Sequence, residues 1–283
     1  MRDLNRHLEL CSINTATLGH QWPLDRTLDA IARAGYGGVA PWRREVEAAG
    51  VGAVARQLRA LGLRVSGYCR STYLTAPTPA AFKAGVAENR AAIDQAAELG
   101  AACFIVVHGG LVAGSKDIAG ARAQGAEAIA LLWEHAKRCG VALAIEPLHP
   151  MYAADRCLVV TLEQGLDLCT AIDPENSGGL GIAVDVYHCW WDPRLAEMIA
   201  RGGALRRILA FHVSDWLVPT RDMLLDRGMM GDGVIEIAKI RGMLEDAGYA
   251  GKVEVEIFSR DDWWRRDVVE TLAVCAARLQ SVC

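Results

Sequence analysis

The sequence predicts a (β/α)8 barrel built as one domain over residues 1–283. Three observations lead there. Short apolar runs alternate with longer amphipathic stretches along the whole chain, and eight such pairs in unbroken series are the pattern of that fold. A doubly wound open sheet would need a Gly-rich phosphate turn after the first strand, and ATLGHQWPL contains no G-x-G-x-x-G. No low-complexity linker divides the chain, and a barrel of this kind needs about 250 residues.

Taken in order, the first strand is expected over Glu9–Asn14, followed by the helical pattern PLDRTLDAIARAG. Gly38–Trp42 and AGVGAVARQLRALG form the second pair, Arg64–Arg70 and AFKAGVAENRAAIDQAAELG the third. Cys103–His108 precedes AGARAQGAEAIALLWEHAKRCG, and Ala142–Glu146 precedes TLEQGLDLCTAI. Gly181–Asp185 leads to PRLAEMIARGG, Ile208–His212 to VIEIAKIRGMLEDAG, and Val253–Phe258 to the terminal DVVETLAVCAARLQ. Gly35, Gly62, Gly100, Gly140 and Gly248 stand where these helices should stop, as C-terminal glycines do.

Composition narrows the functional classes. The chain is 52% hydrophobic and 23% charged with a net charge of −4, and no basic run offers a footprint for nucleic acid or an acidic membrane. No stretch approaches the roughly 20 apolar residues of a membrane span, and MRDLNRHLEL does not read as a secretory signal. The 9 cysteines form no C-x-x-C pair and sit mostly in apolar surroundings, which suits reduced thiols in the cytoplasm.

The chemistry lies at four consecutive strand ends: ALAIE, GIAVD, ILAFH and VEVE. All strands of a barrel point the same way, so Glu146, Asp185, His212 and Glu256 should meet at one rim. Strand parity agrees. Counting back by two gives Ala144 and Ala142, Ala183 and Gly181, and Ala210, while Leu143, Ile145, Ile182, Val184, Leu209 and Phe211 take the other face. Glu254 falls on the inner face one layer lower, where Arg64 is a candidate partner. A lone carboxylate at a strand end is often only a helix cap; four on one parity are a ligand set. Three carboxylates and one imidazole suit a single divalent ion, Mn, Mg or Co, with Zn also admissible. Such an ion on a carbonyl and its neighbouring hydroxyl stabilises an enediolate, with Glu146 and Glu256 as base and acid.

IEPLHP around Glu146, VDVYH around Asp185, FHVSD around His212, GDGVI at Gly231–Ile235 and VEVEIFS around Glu256 resemble the xylose-isomerase-like barrel superfamily, especially its sugar phosphate isomerase/epimerase group. The resemblance spans roughly residues 8 to 275. It implies a ketose-epimerase-like site in which the four residues hold one ion, the two glutamates shuttle a proton and His188 binds substrate oxygen. Pro150, Met151 and Tyr152 depart from the epimerases' Arg- and Glu-bearing segment, and Asp215 and Trp216 stand where a substrate-binding Arg would be nearest; the arginines that follow are Arg221 and Arg227. A keto-sugar or inosose dehydratase or lyase using the same site is the second reading. The superfamily's apurinic endonucleases keep an Asp-x-His pair that GDGVI lacks, and a sugar-binding barrel without catalysis is a further alternative.

Around the rim, His108, His149, Arg43, Arg70 and Trp42 are expected to contact substrate. Trp190, Trp191 and Trp216 stand at loop starts, where a ring face or a second copy of the chain could meet them. The long segment from Trp216 to Gly233 reads as a mobile lid.

Overall fold

A computed structural model describes residues 1–283. Strands β1 (Cys11–Asn14), β2 (Gly38–Ala40), β3 (Arg64–Val65), β4 (Cys103–Val106), β5 (Ala142–Ile145), β6 (Leu180–Asp185) and β7 (Ile208–Val213) come first. β8 (Asp215–Trp216) and β9 (Arg227–Gly228) form a small antiparallel ladder, and β10 (Val253–Val255) completes the series. The parallel sheet runs β3-β2-β1-β10-β7-β6-β5-β4. Its ends meet: Tyr68 N donates to Cys103 O at 2.9 Å, Ile105 N to Tyr68 O at 3.1 Å and Ser71 N to Ile105 O at 2.9 Å, which closes the barrel. The third strand is therefore regular over only two residues, while its pairing continues to Ser71.

The main helices cover the outside: α1 (Leu24–Arg33), α2 (Arg43–Ala49), α3 (Val51–Leu61), α4 (Pro79–Leu99), α5 (Ile118–Cys139), α6 (Leu162–Ile172), the single turn α7 (Val186–Cys189), α8 (Leu195–Ala204), α9 (Ile237–Asp246) and α10 (Val268–Val282). Thr78, Asp117, Thr161 and Asp267 each accept from a backbone N–H of the first turn of α4, α5, α6 and α10. Gly62, Gly100 and Gly140 end α3, α4 and α5 at φ of 70°, 65° and 67°, a region where a side chain would be strained.

The two faces of the sheet divide as parity requires. Inside the barrel lies a small cluster of Ala40, Cys69, Cys103, Ile105, Ala144, Ala183 and Ala210. Leu143, Ile145, Ile182, Val184 and Phe211 belong instead to the large apolar layer between sheet and helices. Leu209 departs from expectation by packing against the inner cluster, near a register irregularity in the β6–β7 pairing between Ile182 and Ala183. Small interior residues leave room for polar groups at the upper end. All nine cysteines are free, and no helix is long and apolar enough to cross a membrane.

Candidate metal centre

β5, β6, β7 and β10 deliver their terminal residues to one point. One ligand atom each of Glu146, Asp185, His212 and Glu256 lies within 4.8 Å of the other three, and all four residues are buried. Bonds of about 2.0–2.2 Å to a shared ion would place donor atoms at such separations. His212 Nδ1 lies 2.9 Å from Glu146 Oε1 and 3.7 Å from Glu256 Oε2, while its Nε2 faces Glu254 Oε1 at 3.7 Å and has no hydrogen-bond partner. Three buried carboxylates converging on one imidazole are what a divalent cation would compensate, so the residues present fit such an ion.

Glu254 is not paired with Arg64. Its Oε1 accepts from Asn14 Nδ2 at 3.0 Å and its Oε2 from Ser66 Oγ at 2.7 Å. The same Asn14 amide donates to Glu256 Oε1 at 3.0 Å, while Asn14 Oδ1 accepts from Trp42 Nε1 at 2.8 Å. Strand β1 thus braces both glutamates of β10 and the segment after it.

Arg227, on β9, is almost fully buried beside the cluster. Its Nη1 donates to Asp185 Oδ2 at 2.9 Å and Glu256 Oε2 at 3.3 Å, and its Nη2 to His188 Nε2 at 3.2 Å. The guanidinium carbon also stands 4.4 Å from the centre of the Tyr187 ring. Burial would raise the Asp185 carboxyl, but Arg227, His188 and His212 outweigh it and hold it below the ordinary range. Burial pushes Glu256 up to about 8 against the pull of Arg227, with Glu146 adding to the rise. Burial takes His188 down to about 4. For His212 burial acts downward, yet Glu254, Glu146 and Glu256 raise it well above an ordinary imidazole.

These directions set a pH window. Without metal, folded Glu256 keeps a proton that the unfolded chain sheds near its ordinary value of 4.5. Its contribution to stability is therefore complete below about pH 4.5 and is lost as pH rises through about 8. Metal binding displaces that proton. The gain in melting temperature on adding Mn²⁺ is expected to grow from about pH 6 to about pH 8, as thermal unfolding at each pH will show; a gain that shrank over that range would contradict it.

A cavity of about 400 Å³ opens above the cluster, a volume suited to a small metabolite. Glu146, Glu256, His188, Arg227, Arg70 and Trp42 all line it. Three expected contacts do not. Arg43 opens α2 with its Nη2 turned to Glu47 at 3.5 Å and Glu88 at 3.2 Å; the cavity is lined by Arg44, about 100° further around the helix. His108 is buried in the wall, with Nδ1 3.1 Å from Gly109 O and Nε2 3.3 Å from Arg122 O, and Gly125 of α5 packs directly on its ring. His149 stacks on Trp216 with centroids 5.0 Å apart and meets Trp191 edge-on, so it belongs to an aromatic cluster beside the cavity. Trp190 also packs on Trp216.

The segment expected as a lid is tied at its base. Asp215 accepts from Gly231 N at 2.8 Å and Ile235 N at 3.0 Å, and Leu224 and Leu225 reach the cavity. Asn14, Arg44, Tyr152, Arg156 and Arg227 were not assigned to the site from sequence. Asn14 carries a signal as a polar residue at a strand end like the four ligand candidates, and Arg227 a weaker one as one of the two arginines that follow His212.

A family model described as xylose isomerase-like TIM barrel matches residues 28–275. A solved protein from Sinorhizobium meliloti is 50% identical over 98% of this chain and 99% of its own, with a TM-score of 0.95. The IolI protein with a bound zinc atom aligns over 96% of this chain and 97% of its own at 17% identity and a TM-score of 0.81. An L-ribulose 3-epimerase aligns over 95% and 92% at 21% identity and 0.74. These last two likenesses are of fold. No curated protein matches the chain.

Proposed function

The chain belongs to the xylose isomerase-like TIM-barrel family, and on that premise we propose that it is a divalent-metal-dependent isomerase or epimerase of a sugar, sugar phosphate or polyol. The observation that carries this reading is a division within the four-residue cluster. Glu146 and Glu256 line the cavity, whereas Asp185 and His212 stand behind it. In the ring of strands β6 and β7 separate β5 from β10, so the two glutamates flank the other pair. A substrate carbon between them can give a proton to one carboxylate and regain it from the other. The two carboxylates approach such a carbon from opposite sides, so one can act as base while the other acts as acid. Neutral His188 and Arg227 supply hydrogen-bonding groups for substrate oxygens, and Trp42, Phe258 and Trp264 give the cavity apolar walls that limit water. A divalent ion held by the four residues would stabilise negative charge on the substrate's oxygens. An epimerase and a zinc-holding protein among the solved structures of like fold agree with the reading.

Keto-sugars, inososes and their phosphates, screened with Mn²⁺, Mg²⁺ and Co²⁺, are expected to include a compound that takes up solvent deuterium at one carbon without losing water. Glu146→Gln and Glu256→Gln should each slow that exchange by about 10²–10⁴-fold. Exchange at the wild-type rate in both variants refutes the assignment. Release of water would place the chain with the dehydratases or lyases, whose first proton abstraction needs the same base.

A further inference from the structure

Three arginines line the same cavity without a carboxylate partner: Arg44, Arg70 and Arg156. Other arginines on neighbouring segments are matched, Arg43 by Glu47 and Glu88, Arg221 by Asp226, Arg260 and Arg265 by Asp261, and Arg266 by Asp262. The charge of Arg227 is matched by Asp185 and Glu256. Positive charge left unmatched inside a concave site is electrostatically costly without a ligand and favourable with an anionic one.

The three side chains are also placed for such a ligand. The Arg70 guanidinium carbon lies 4.8 Å from the centre of the Tyr73 ring, and that of Arg156 lies 5.3 Å from the centre of the Tyr152 ring. Contact with a ring fixes a guanidinium without neutralising it, and its N–H edge remains able to take a carboxylate or phosphate in a two-point contact. Arg70 commits one donor, Nη1, to Ser71 O at 3.1 Å. Arg156 makes no hydrogen bond within the chain that would compete, and Arg44 is exposed at the rim. Arg44 lies in the first turn of α2, Arg70 just after β3 and Arg156 in the loop after β5, all at the C-terminal end of the barrel where Glu146 and Glu256 also stand.

We propose that the substrate carries an anionic group, a carboxylate or a phosphate, held by Arg44, Arg70 and Arg156 at the end of the cavity away from Glu146 and Glu256. That the anion belongs to a substrate rests on the reading that a divalent ion occupies the cluster; the arginine site itself does not. With that ion bound, the charges of Glu146, Asp185 and Glu256 are balanced by the ion and Arg227, and the three arginines remain as net positive charge. The two glutamates would repel an anion placed between them, so the charged end must point outward and the reacting carbon inward.

Calorimetric titration tests this with three six-carbon probes: uncharged D-glucitol, D-gluconate and D-glucitol 6-phosphate. The full-length protein is used saturated with Mg²⁺ and again after chelation with EDTA. At least one charged probe should bind about tenfold or more tightly than D-glucitol in both states, more weakly at high salt, and the tighter of the two names the group. Arg70→Gln and Arg156→Gln should each remove most of that preference while Arg70→Lys and Arg156→Lys keep part of it. Equal binding of all three probes, no binding of either charged probe, or an unchanged preference in the folded Gln variants overturns the proposal. A separate Mn²⁺ titration reports on the metal cluster. If Mn²⁺ fails to bind while the anion preference holds, the proposed function falls and the arginine site stands; the converse result removes only the arginine site.

Discussion

His212→Ala is expected to weaken Mn²⁺ binding by at least about a hundredfold, the upper end of what losing a mere outer hydrogen-bond partner costs a metal site. His212 is the cluster's single nitrogen donor and is fully buried, so no water-filled gap already exists to take its place. The variant loses a ligand and also the one cationic group between Glu146, Glu254 and Glu256. In the wild-type protein His212 must shed a proton before it can bind metal, which masks part of its contribution at neutral pH. The comparison therefore belongs near pH 8, where that proton is less firmly held than at pH 6. Calorimetry at that pH with wild-type affinity in His212→Ala would falsify its role as a ligand.

Arg227→Met should be the most damaging single change to the metal-free fold. Removing one partner of a buried ion pair leaves the other charge unpaired and costs about 3–5 kcal/mol. Here the Asp185 carboxylate loses its guanidinium partner, and Glu256, protonated below about pH 8 without metal, loses a hydrogen-bond donor. For a chain of this size that corresponds to a fall in melting temperature on the order of 10 °C. The expected signature goes further. A divalent ion replaces the missing positive charge, so Mn²⁺ should raise the melting temperature of Arg227→Met by more than it raises that of the wild type. A variant as stable as wild type, or one that gains less from metal, would show that Arg227 does not offset the cluster's charge.

The barrel was legible because each level of the sequence agrees with the next. Apolar runs mark the strands, parity separates Ala144 and Ala183 from Ile145 and Val184, and the ligand types recur at the same end of four runs. Those residues sit on regular elements, where position in the chain fixes direction in space. Apart from Asn14 at the end of β1, what escaped sits outside the strands of the barrel. Arg227 reaches the cluster because β8 and β9 fold back as a ladder outside the barrel, a path no periodicity encodes. Arg43 and Arg44 exchange roles because helix α2 starts at that point, and one residue turns the side chain by about 100°. His108 does end its strand as expected, but α5 packs so closely at Gly125 that the ring is walled off. Tyr152 and Arg156 lie in the loop after β5, whose path depends on contacts such as Tyr152 with Met223 O at 2.6 Å.

The pairing of β1 with β10 joins Cys11–Ile13 to Val253–Val255, the two ends of the barrel's chain path. Contacts of such large sequence separation form late, after most of the loop entropy has been spent. Asn14 comes from the first strand and Glu254 and Glu256 from the last, so the braced ligand set does not exist until the newly made C-terminal region has found the N-terminal strand. β5, β6 and β7 can bring Glu146, Asp185 and His212 together beforehand, but the complete four-residue set, and with it the full affinity for an ion, is expected only on the closed ring. Refolding followed by backbone exchange at β1 and by Mn²⁺ uptake should report one and the same event.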